Sequence, residues 1–259
     1  MKVGADGILN VVAGNGIRFE AGDGGPAVNA ALFLPTSIAV DAQGNLYVGE
    51  YDGTIRKIST NGTIDTIAGT GITGFSGDGG PARSAAIGRP YGLAVDAAGN
   101  LYLSDMDNNR IRKISTSGII TTVAGNGTNG PSQNNVAATS TPVFTPTRMT
   151  VDRSGNLYFV EIPSPDFPRI RKIDTNGILT TVVGGGLNLP NDGSAALGAG
   201  VFPLAVAVDG SGNLYFADSL SQGVFRVDAN GKLKLLGGGA YSSGFSGDGG
   251  SALSARFNL

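Results

Sequence analysis

Short apolar runs alternate with turn residues along the whole chain, and the same series of runs occurs in four copies. The first run of each copy is apolar and partly β-branched, follows a Pro or Gly, and ends at an Asp. Its copies lie at residues 37–40, 92–95, 149–151 and 206–208. Apolar runs this short, bounded by turn signals, predict a buried strand.

An Asp-x-x-Gly-Asn turn follows the first run in every copy. The Asp side chain can accept hydrogen bonds from the backbone two residues later, and Gly supplies the positive φ of a type I turn with a bulge. The residues after the turn, Leu-Tyr and then Val, Leu or Phe, predict a second strand. The turn glycines are Gly44, Gly99, Gly155 and Gly212, at spacings of 55, 56 and 57 residues.

Two further strands complete each copy. The third is predicted from Ile-Arg-Lys-Ile, or Val-Phe-Arg-Val in the last copy, at 55–58, 111–114, 170–173 and 224–227. The fourth follows another Gly turn, at 63–68, 119–124, 178–183 and 232–236. Each copy is therefore predicted to be a four-stranded antiparallel meander.

Both faces of each predicted sheet carry apolar residues, so the copies must stack on one another to shield them from water. Four-stranded units that recur at this length predict radial stacking in an all-β fold, the β-propeller. A β-helix would need a far shorter repeat, and a β-sandwich would need no internal copy.

We expect four complete blades near residues 35–69, 90–125, 146–184 and 203–238, and a trailing connector at 239–259. Residues 2–7 align with 57–62, so 1–16 form an N-terminal half blade with only a third and a fourth strand. A propeller hides its edges by pairing strands from both termini in one blade, and nothing in this chain completes the half blade. We therefore expect an open or incomplete fragment of a larger propeller, with exposed outer sheet faces.

The connectors form a second repeat, Gly-Asp-Gly-Gly-Pro-Ala or a close copy, at 22–27, 77–82 and 247–252, with a weaker copy at 191–195. Pro at a first helical position, with an Asp upstream, predicts a short capped helix. Asp23, Asp78 and Asp248 could instead suggest a phosphate or metal site. We favour helix capping for them, because an Asp side chain would repel an anion. The third connector, 127–146, lacks the motif and predicts a plain loop.

Composition excludes several classes of site. The 259 residues carry 18 basic and 20 acidic side chains, and this net charge of −2 gives no electrostatic footprint for nucleic acid or an acidic membrane. Without Cys or His, the chain has no thiol nucleophile, disulfide, Ser-His-Asp triad or metal site that needs these ligands. No apolar run approaches the roughly 20 residues that cross a bilayer, and the first residues show no hydrophobic signal region.

Three segments together resemble the NHL-repeat family, in its bacterial form with Gly-Asp-Gly-Gly-Pro-Ala connectors. They are Asp-Ala-Ala-Gly-Asn-Leu-Tyr-Leu-Ser-Asp at 96–105, Asn-Arg-Ile-Arg-Lys-Ile at 109–114 and Ile-Thr-Thr-Val-Ala-Gly at 120–125. The match extends over essentially the whole chain. The resemblance implies a propeller, usually six-bladed, which is more blades than this chain can build.

The resemblance also implies a function. NHL propellers serve mostly as binding platforms in larger proteins, including sensor, adhesive and RNA-binding ones, so fused domains and a secreted or cell-surface location are expected. A few relatives are lyases, and similar propellers include Ca²⁺-dependent lactonases. The lyase sites known in such relatives depend on His, which this chain lacks.

Each second strand ends in an acid. These acids are Glu50, Asp105, Glu161 and Asp218. Equivalent positions of a propeller lie on one face, so the carboxylates are predicted to surround its top, where they would suit Ca²⁺ or basic partners. The alternative is that each acid caps the following turn or pairs with a nearby Arg, such as Arg110 or Arg169. Repetition in every blade favours this structural role, because a single ligand site needs asymmetry.

The blades differ most after the third acid. Residues 161–168 form a stiff, Pro-rich apolar loop where 105–109 read Asp-Met-Asp-Asn-Asn. Tyr51, Met106 and Phe167 are predicted to join the acids in a shallow binding surface on the same face. A tolerated insertion is the alternative.

Arg-Lys pairs at 56–57, 112–113 and 171–172 form a basic stripe on the third strands. RNA would suit such a stripe. However, the acids nearly cancel its charge and no aromatic residues interleave to stack bases. We therefore expect interblade ion pairs with the acids, and nucleic acid is not the expected partner.

The leading hypothesis is a non-catalytic interaction propeller that binds protein or carbohydrate as part of a larger bacterial protein. One alternative is an enzyme of the lactonase or lyase type, in which Glu and Asp hold Ca²⁺ near the central channel. The other is an RNA-binding propeller. No catalytic residue is assigned, and no cofactor other than this Ca²⁺ is considered.

Overall fold

The computed structural model describes residues 1–163, 167–239, 241 and 243–259, and over these ranges the chain consists of strands, turns and short 3₁₀ segments. The chain divides into two compact units, residues 1–122 and 123–259. Over the described ranges, none of the helical segments has the length and apolar character that a membrane crossing requires.

The first unit contains a hairpin and two four-stranded sheets. Its strands are β1 (Lys2–Val3), β2 (Leu9–Asn10), β3 (Pro35–Val40), β4 (Leu46–Glu50), β5 (Ile55–Ile58), β6 (Ile64–Ala68), β7 (Pro90–Val95), β8 (Leu101–Asp105), β9 (Arg110–Ile114) and β10 (Ile120–Ala124). The hairpin is β1–β2, blade 1 has the order β3-β4-β5-β6, and blade 2 has the order β7-β8-β9-β10. Strand β10 runs across the boundary between the units.

The second unit contains two more sheets. Its strands are β11 (Val136–Ala137), β12 (Pro146–Val151), β13 (Leu157–Glu161), β14 (Arg169–Ile173), β15 (Ile178–Asn188), β16 (Leu197–Ala199), β17 (Pro203–Val208), β18 (Leu214–Asp218), β19 (Gly223–Val227) and β20 (Leu233–Gly238). Blade 3 is β12-β13-β14-β15, with β11 antiparallel and β16 parallel to β15, and blade 4 is β17-β18-β19-β20. The prediction of an all-β propeller fold with four-stranded antiparallel blades is confirmed.

The turn between the first two strands explains why its sequence repeats. In blade 1, Asp41 Oδ1 accepts hydrogen bonds from the backbone N–H groups of Gln43 at 3.0 Å and Asn45 at 2.8 Å. Its Oδ2 accepts from Asn45 Nδ2 at 2.8 Å and from the Tyr47 hydroxyl at 3.0 Å. Gly44 has a φ of 88°, which residues with a Cβ rarely adopt. One Asp thus fixes the turn and the start of the second strand together.

The strands bury apolar side chains between the two blades of each unit. In the first unit, Ile55 of blade 1 packs in one cluster with Leu93 and Leu103 of blade 2. In the second, Val160 of blade 3 packs with Phe216 and Phe225 of blade 4. Each side chain of this size stabilises the fold by about 2 kcal/mol when fully buried. Stacking of blades therefore supplies the core, as the two-sided apolar pattern predicts.

The connectors differ from the prediction of short capped helices. Each of the three close copies forms one 3₁₀ turn, and these turns span Ala27–Asn29, Ala82–Ser84 and Ala252–Ser254. Pro81 precedes its turn in an extended conformation, and no side chain caps the turn. Asp78 instead accepts a hydrogen bond from the backbone N–H of Thr122, on β10, and pairs with Arg112. Asp78 thus binds the buried Arg112 guanidinium and the Thr122 N–H of the fourth strand, and a single 3₁₀ turn offers neither of these groups.

The third connector is not the plain loop that its sequence predicts. It contains the same 3₁₀ turn, at Ala138–Ser140. Asn134 takes the place of the connector Asp, and its Oδ1 accepts from Thr181 N at 2.8 Å. Asn135 follows with a φ of 60°, in the left-handed conformation that Gly79 adopts in the second connector. Asn tolerates this conformation better than most residues, so it replaces the Gly without a change of backbone path.

Candidate functional site

The four acids at the ends of the second strands have no solvent-exposed surface. Each accepts a hydrogen bond from a backbone N–H in the segment before the first strand of its own blade. The donors are Phe33 to Glu50 at 3.1 Å, Gly88 to Asp105 at 2.7 Å, Phe144 to Glu161 at 3.0 Å and Phe202 to Asp218 at 2.5 Å. The carboxylates therefore hold the loops that surround them, and they offer no free surface to a ligand.

A buried Arg of the third strand faces the acid in three blades. Arg56 Nη1 lies 3.7 Å from Glu50 Oε1, Arg112 Nη1 lies 3.5 Å from Asp105 Oδ2, and Arg171 Nη1 lies 2.9 Å from Glu161 Oε2. All three Arg side chains are fully buried. The Arg side chains of the predicted basic stripe are therefore inaccessible, and their ion pairs lie within a blade or reach the preceding connector rather than joining neighbouring blades. The Lys side chains of the stripe are partly exposed, and each lies over a Tyr ring; the pairs are Lys57 with Tyr47, Lys113 with Tyr102 and Lys172 with Tyr158.

In two blades an Arg closely follows the acid in sequence, and these two Arg side chains make different contacts. Arg169 Nε donates to Glu161 Oε2 at 2.8 Å, as the pairing hypothesis predicts. Arg110 does not pair with Asp105; its guanidinium carbon lies 3.7 Å from the centroid of the Phe75 ring. Asp105 Oδ1 accepts from Gly88 N–H and from Asn108 Nδ2 at 2.6 Å, and Arg110 Nη1 donates to the Asn108 carbonyl at 3.0 Å.

Blade 4 replaces the buried Arg with an apolar side chain. Phe225 stands at the position of Arg56 and stacks on Phe216 at a centroid distance of 5.5 Å. Asp218 takes its hydrogen bonds from Ser221 instead, through Oγ at 2.5 Å and N–H at 2.9 Å. The connector residue Asp192, which has no buried Arg to face, pairs with Lys234 at 3.1 Å. Where Phe replaces the buried Arg of the third strand, the connector Asp therefore pairs with an exposed Lys instead.

Burial changes the protonation of two acids in the first unit. Desolvation raises the pKa of Glu50 to about 7, against the Phe33 hydrogen bond and the charge of Arg56, which lower it. Desolvation likewise raises the pKa of Asp105 to about 6, opposed by hydrogen bonds from Asn108 and Gly88. Glu50 Oε1 and Asp105 Oδ2 are the oxygens that accept no hydrogen bond from the described residues. An incompletely solvated carboxylate prefers its neutral form.

The remaining predicted site residues are partly accessible. Tyr51 is 39% exposed and Phe167 is 42% exposed, and Met106 is half-buried. Within the loop singled out at 161–168, Ser164, Pro165 and Asp166 lie outside the described residues. Binding by Tyr51, Met106 and Phe167 stays a prediction.

In the first unit, Arg89 brings two of these residues together. Its Nη1 donates to the Tyr51 hydroxyl at 3.2 Å, and its backbone carbonyl accepts from Met106 N–H at 3.3 Å. Its Nε and Nη2 both donate to the carboxylate of Asp107, at distances between 2.5 and 2.9 Å. The guanidinium carbon also lies 5.2 Å from the centroid of the Tyr51 ring. We call Tyr51, Arg89, Met106 and Asp107 the Arg89 cluster.

The Arg89 cluster is held rigidly and is partly open to solvent. The Arg89 and Asp107 side chains are each 30% exposed. Hydrogen bonds from Arg89 lower the pKa of Asp107 below its usual range, against a smaller opposing effect of burial. The pair therefore stays charged at neutral pH and fixes the Tyr51 hydroxyl beside it.

Sequence reasoning missed Arg89 and Asp107, although one signal was present. The residue before the Pro that starts each first strand differs in every blade. These residues are Leu34, Arg89, Thr145 and Phe202. A position that varies among otherwise similar repeats indicates a loop on the surface. Its partner Asp107, 18 residues away, cannot be found without the structure.

The family model of the Teneurin NHL domain matches residues 6–76 and 73–143. Human Teneurin-1 is 28% identical over 256 residues, which cover 89% of this chain and 9% of the relative. Mouse Teneurin-3 is 31% identical over 265 residues, which cover 87% of this chain and 9% of the relative. The chain thus spans 9% of the length of either relative. Both are animal proteins, so a bacterial source and secretion stay predictions.

A solved structure of a protein of unknown function from Bacteroides thetaiotaomicron has a similar fold. It superimposes with a TM-score of 0.53, covering 96% of this chain and 68% of that chain. The sequences are 18% identical, so the likeness shows the fold alone.

Proposed function

This chain belongs to the Teneurin NHL domain family, and from that membership we propose that it is a non-catalytic interaction domain of a larger protein. We propose a protein as its partner and the Arg89 cluster of the first unit as the contact surface. The observation that carries this proposal is the bridge from Arg89 to both Tyr51 and Asp107 on an accessible surface.

The composition of the Arg89 cluster supports a protein partner. Tyr, Arg and Met are enriched at protein interfaces, and Tyr and Arg are the residues at which truncation costs most binding energy. Phe75, 42% exposed and stacked against Arg110, adds a second exposed aromatic ring in the same unit. The acids of this unit, Glu50 and Asp105, are fully buried and hold loops through backbone N–H groups.

Rigidity also supports the proposal. A flexible Arg or Tyr loses side-chain freedom when it binds, at a cost of about 0.5–1.5 kcal/mol for each side chain. Arg89 is already held at its Nε, Nη1 and Nη2 atoms. The Arg89 side chain therefore has little conformational freedom left to lose when a partner binds.

The alternative functions fit these residues less well. A Ca²⁺-dependent lactonase or lyase would need accessible oxygens to bind an ion, but Glu50 and Asp105 are fully buried, hold backbone N–H groups and face buried guanidinium groups. RNA could reach only the Lys side chains of the stripe, because Arg56 and Arg112 are fully buried. A carbohydrate ligand at the Arg89 cluster is distinguished by the experiment below.

Site-specific photo-cross-linking in the intact protein tests the proposal. A photoreactive amino acid replaces Tyr51, and a matched variant carries it at Phe245, an aromatic residue that is 87% exposed in the other unit. We expect a discrete protein adduct at position 51 and none at position 245. Equal adducts at both positions, or binding to a glycan array without a protein adduct, would overturn the choice of a protein partner.

A further inference from the structure

A cleft of about 610 Å³ lies between blades 3 and 4 of the second unit. Two Lys side chains line it, Lys172 of β14 and Lys232 directly before β20. Its apolar lining comes from both blades and the connector between them, through Val182, Leu197, Leu214 and Val227. Sites for small molecules have volumes of about 300–1,000 Å³, apolar walls and a few polar groups. The cleft has all three properties.

The first unit has an equivalent cleft of about 530 Å³ between blades 1 and 2. Ala196 N–H donates to Gly231 O at 2.9 Å, as Ala82 N–H donates to Gly118 O at 2.8 Å, so the two connectors align. The lining residues that correspond are Tyr47 and Tyr158, Lys57 and Lys172, Ile67 and Val182, Leu101 and Leu214, and Ile114 and Val227. Stacking of two blades therefore creates the cleft, and a preference for one ligand must come from the residues that differ.

Two substitutions distinguish the cleft of the second unit. Lys232 follows the aligned Gly and stands where Ile119 stands in blade 2. Leu197 follows the aligned Ala and stands where Arg83 stands in the second connector. Lys232 and Leu197 line their cleft, whereas neither Ile119 nor Arg83 lines the cleft of the first unit, which the structure describes throughout. The second cleft therefore has an added cation and an added apolar side chain.

The two Lys side chains of this cleft are not neutralised by ion pairs. Lys172 is half-buried, and its Nζ lies 5.7 Å from the centroid of the Tyr158 ring. Lys232 is exposed. Over the residues that the structure describes, Lys234 pairs with Asp192, but neither Lys172 nor Lys232 has an ion-pair partner. Each of these ammonium groups therefore has donors available for an anion.

The carboxylates closest in sequence to these two Lys residues are committed to turns. Asp228, which replaces Ser115 of the first cleft, accepts hydrogen bonds at Oδ1 from two N–H groups of its own turn, both at 2.8 Å. Asp174 does not line the cleft, and its pKa is lowered mainly by the Ile178 N–H and less by the charge of Lys172. With two Lys and one Asp among its described lining residues, the cleft carries a positive net charge.

We propose that this cleft binds a small organic anion, a carboxylate or phosphate carried on an apolar body. Lys172 and Lys232 bind the anionic group through charge-assisted hydrogen bonds, which are stronger than neutral ones. The apolar body packs against Leu197 and the other apolar side chains of the lining. The cleft lies in the second unit and the Arg89 cluster in the first, so the inference does not depend on the proposed function.

Each part of this ligand matches a separate feature of the cleft. An inorganic anion would pair with the Lys side chains but would leave Leu197, which is 60% exposed, uncovered. A neutral apolar molecule would cover Leu197 but would leave the two ammonium groups without a partner. An anion with an apolar body satisfies both.

Isothermal titration calorimetry of the 259-residue chain tests the inference. The probes are 1-naphthyl phosphate and 1-naphthoate, and the controls are 1-naphthol, which lacks the charge, and inorganic phosphate, which lacks the apolar body. We expect one molecule of an anionic probe per chain, bound at least tenfold more tightly than either control. Binding of one probe alone would support the inference and identify the anionic group. Equal binding of probes and controls, or no binding of either probe, would overturn it.

Chain variants locate the contact. Lys232→Ile introduces the residue of the equivalent position in blade 2 and should weaken probe binding at least tenfold. Lys172→Met should do the same, while an apolar side chain still covers Tyr158. Lys57→Met makes the matched change in the first unit and should leave the Kd within twofold. Lys232 is exposed, so its replacement should leave the chain folded. Unchanged affinity in Lys232→Ile, or equal losses in Lys57→Met and Lys172→Met, would overturn the inference.

Discussion

Arg112 and Asp78 form an ion pair that joins the third strand of blade 2 to the connector before it. Nη2 of Arg112 lies 2.7 Å from Oδ1 of Asp78, and the Arg side chain is fully buried. Arg56 and Asp23 form the same pair before blade 1, also at 2.7 Å. The repeated connector motif is therefore part of the fold, and its Asp is not available to bind phosphate or a metal ion.

The Asp78→Ala variant should lose about 2–3 kcal/mol in the free energy of unfolding. It leaves Arg112 buried with only part of its charge compensated, and removal of one partner of a buried pair costs up to about 3–5 kcal/mol. Arg112 keeps its contact with Asp105, which limits the loss. Urea denaturation followed by circular dichroism measures the difference.

The Asp78→Asn variant is the matched control. Asn134 occupies this position in the third connector and still accepts the hydrogen bond from the fourth strand. We therefore expect Asp78→Asn to destabilise the chain less than Asp78→Ala. If the two variants unfold at the same urea concentration, the hydrogen bond contributes nothing.

Stability should fall as the pH rises from about 5 to 8. The pKa of Glu50 is about 7 and that of Asp105 is about 6 in the folded chain, above their ordinary values of 4.5 and 3.8. The folded state therefore holds more protons than the unfolded state in this window, and deprotonation favours unfolding. Between pH 5 and 8 Glu50 contributes about two pKa units and Asp105 about one, so at about 1.4 kcal/mol for each unit the expected loss is about 4 kcal/mol.

Glu50→Gln provides the control for the pH measurement. Gln keeps a carbonyl acceptor for Phe33 N–H but does not titrate. The groups that face Glu50 are Arg56, Asp52 and Glu20, and none of the three is replaced in this variant. The variant should lose more than half of the pH dependence between pH 5 and 8. An unchanged pH profile would assign the effect to other groups.

Calcium should leave the melting temperature unchanged. In the part of the chain that the structure describes, no three His, Cys, Asp or Glu side chains are grouped so as to hold a metal ion. Differential scanning fluorimetry with Ca²⁺ and with EDTA measures this directly. A bound ion at 100 times its Kd would stabilise the fold by about 2.7 kcal/mol. A rise of several degrees that EDTA reverses would restore the Ca²⁺-dependent alternative.

The blades could be predicted from sequence because their signals are local. The Asp-x-x-Gly-Asn-Leu-Tyr segment contains its own hydrogen-bond network, in which Asp41 binds Asn45 and Tyr47 within six residues. Strand period and turn chemistry therefore specify each meander without reference to distant residues. The same reasoning predicts that blades must stack, since each sheet is apolar on both faces.

The roles of the polar residues could not be predicted because their partners are distant in sequence. Asp78 and Arg112 are 34 residues apart, and nothing local distinguishes an Asp that pairs with a buried Arg from one that caps a helix. The third connector was missed for a related reason. Asn134 and Asn135 reproduce the hydrogen bond and the positive φ of Asp-Gly with different residues. The candidate surface could not be predicted either, because it is organised by Arg89, and the contacts of Arg89 with Tyr51 and Asp107 are visible only in the structure.

The most direct test of the proposed function uses the partner protein that is captured by cross-linking at position 51. The test measures the affinity of this partner for single variants of the intact protein. Tyr51→Ala and Arg89→Ala should each raise the Kd at least tenfold, a change of about 1.4 kcal/mol, and Phe245→Ala should leave it within twofold. Surface plasmon resonance with each folded variant provides the measurement. Equal affinities for all four proteins, the unaltered one included, would show that the Arg89 cluster is not the binding surface.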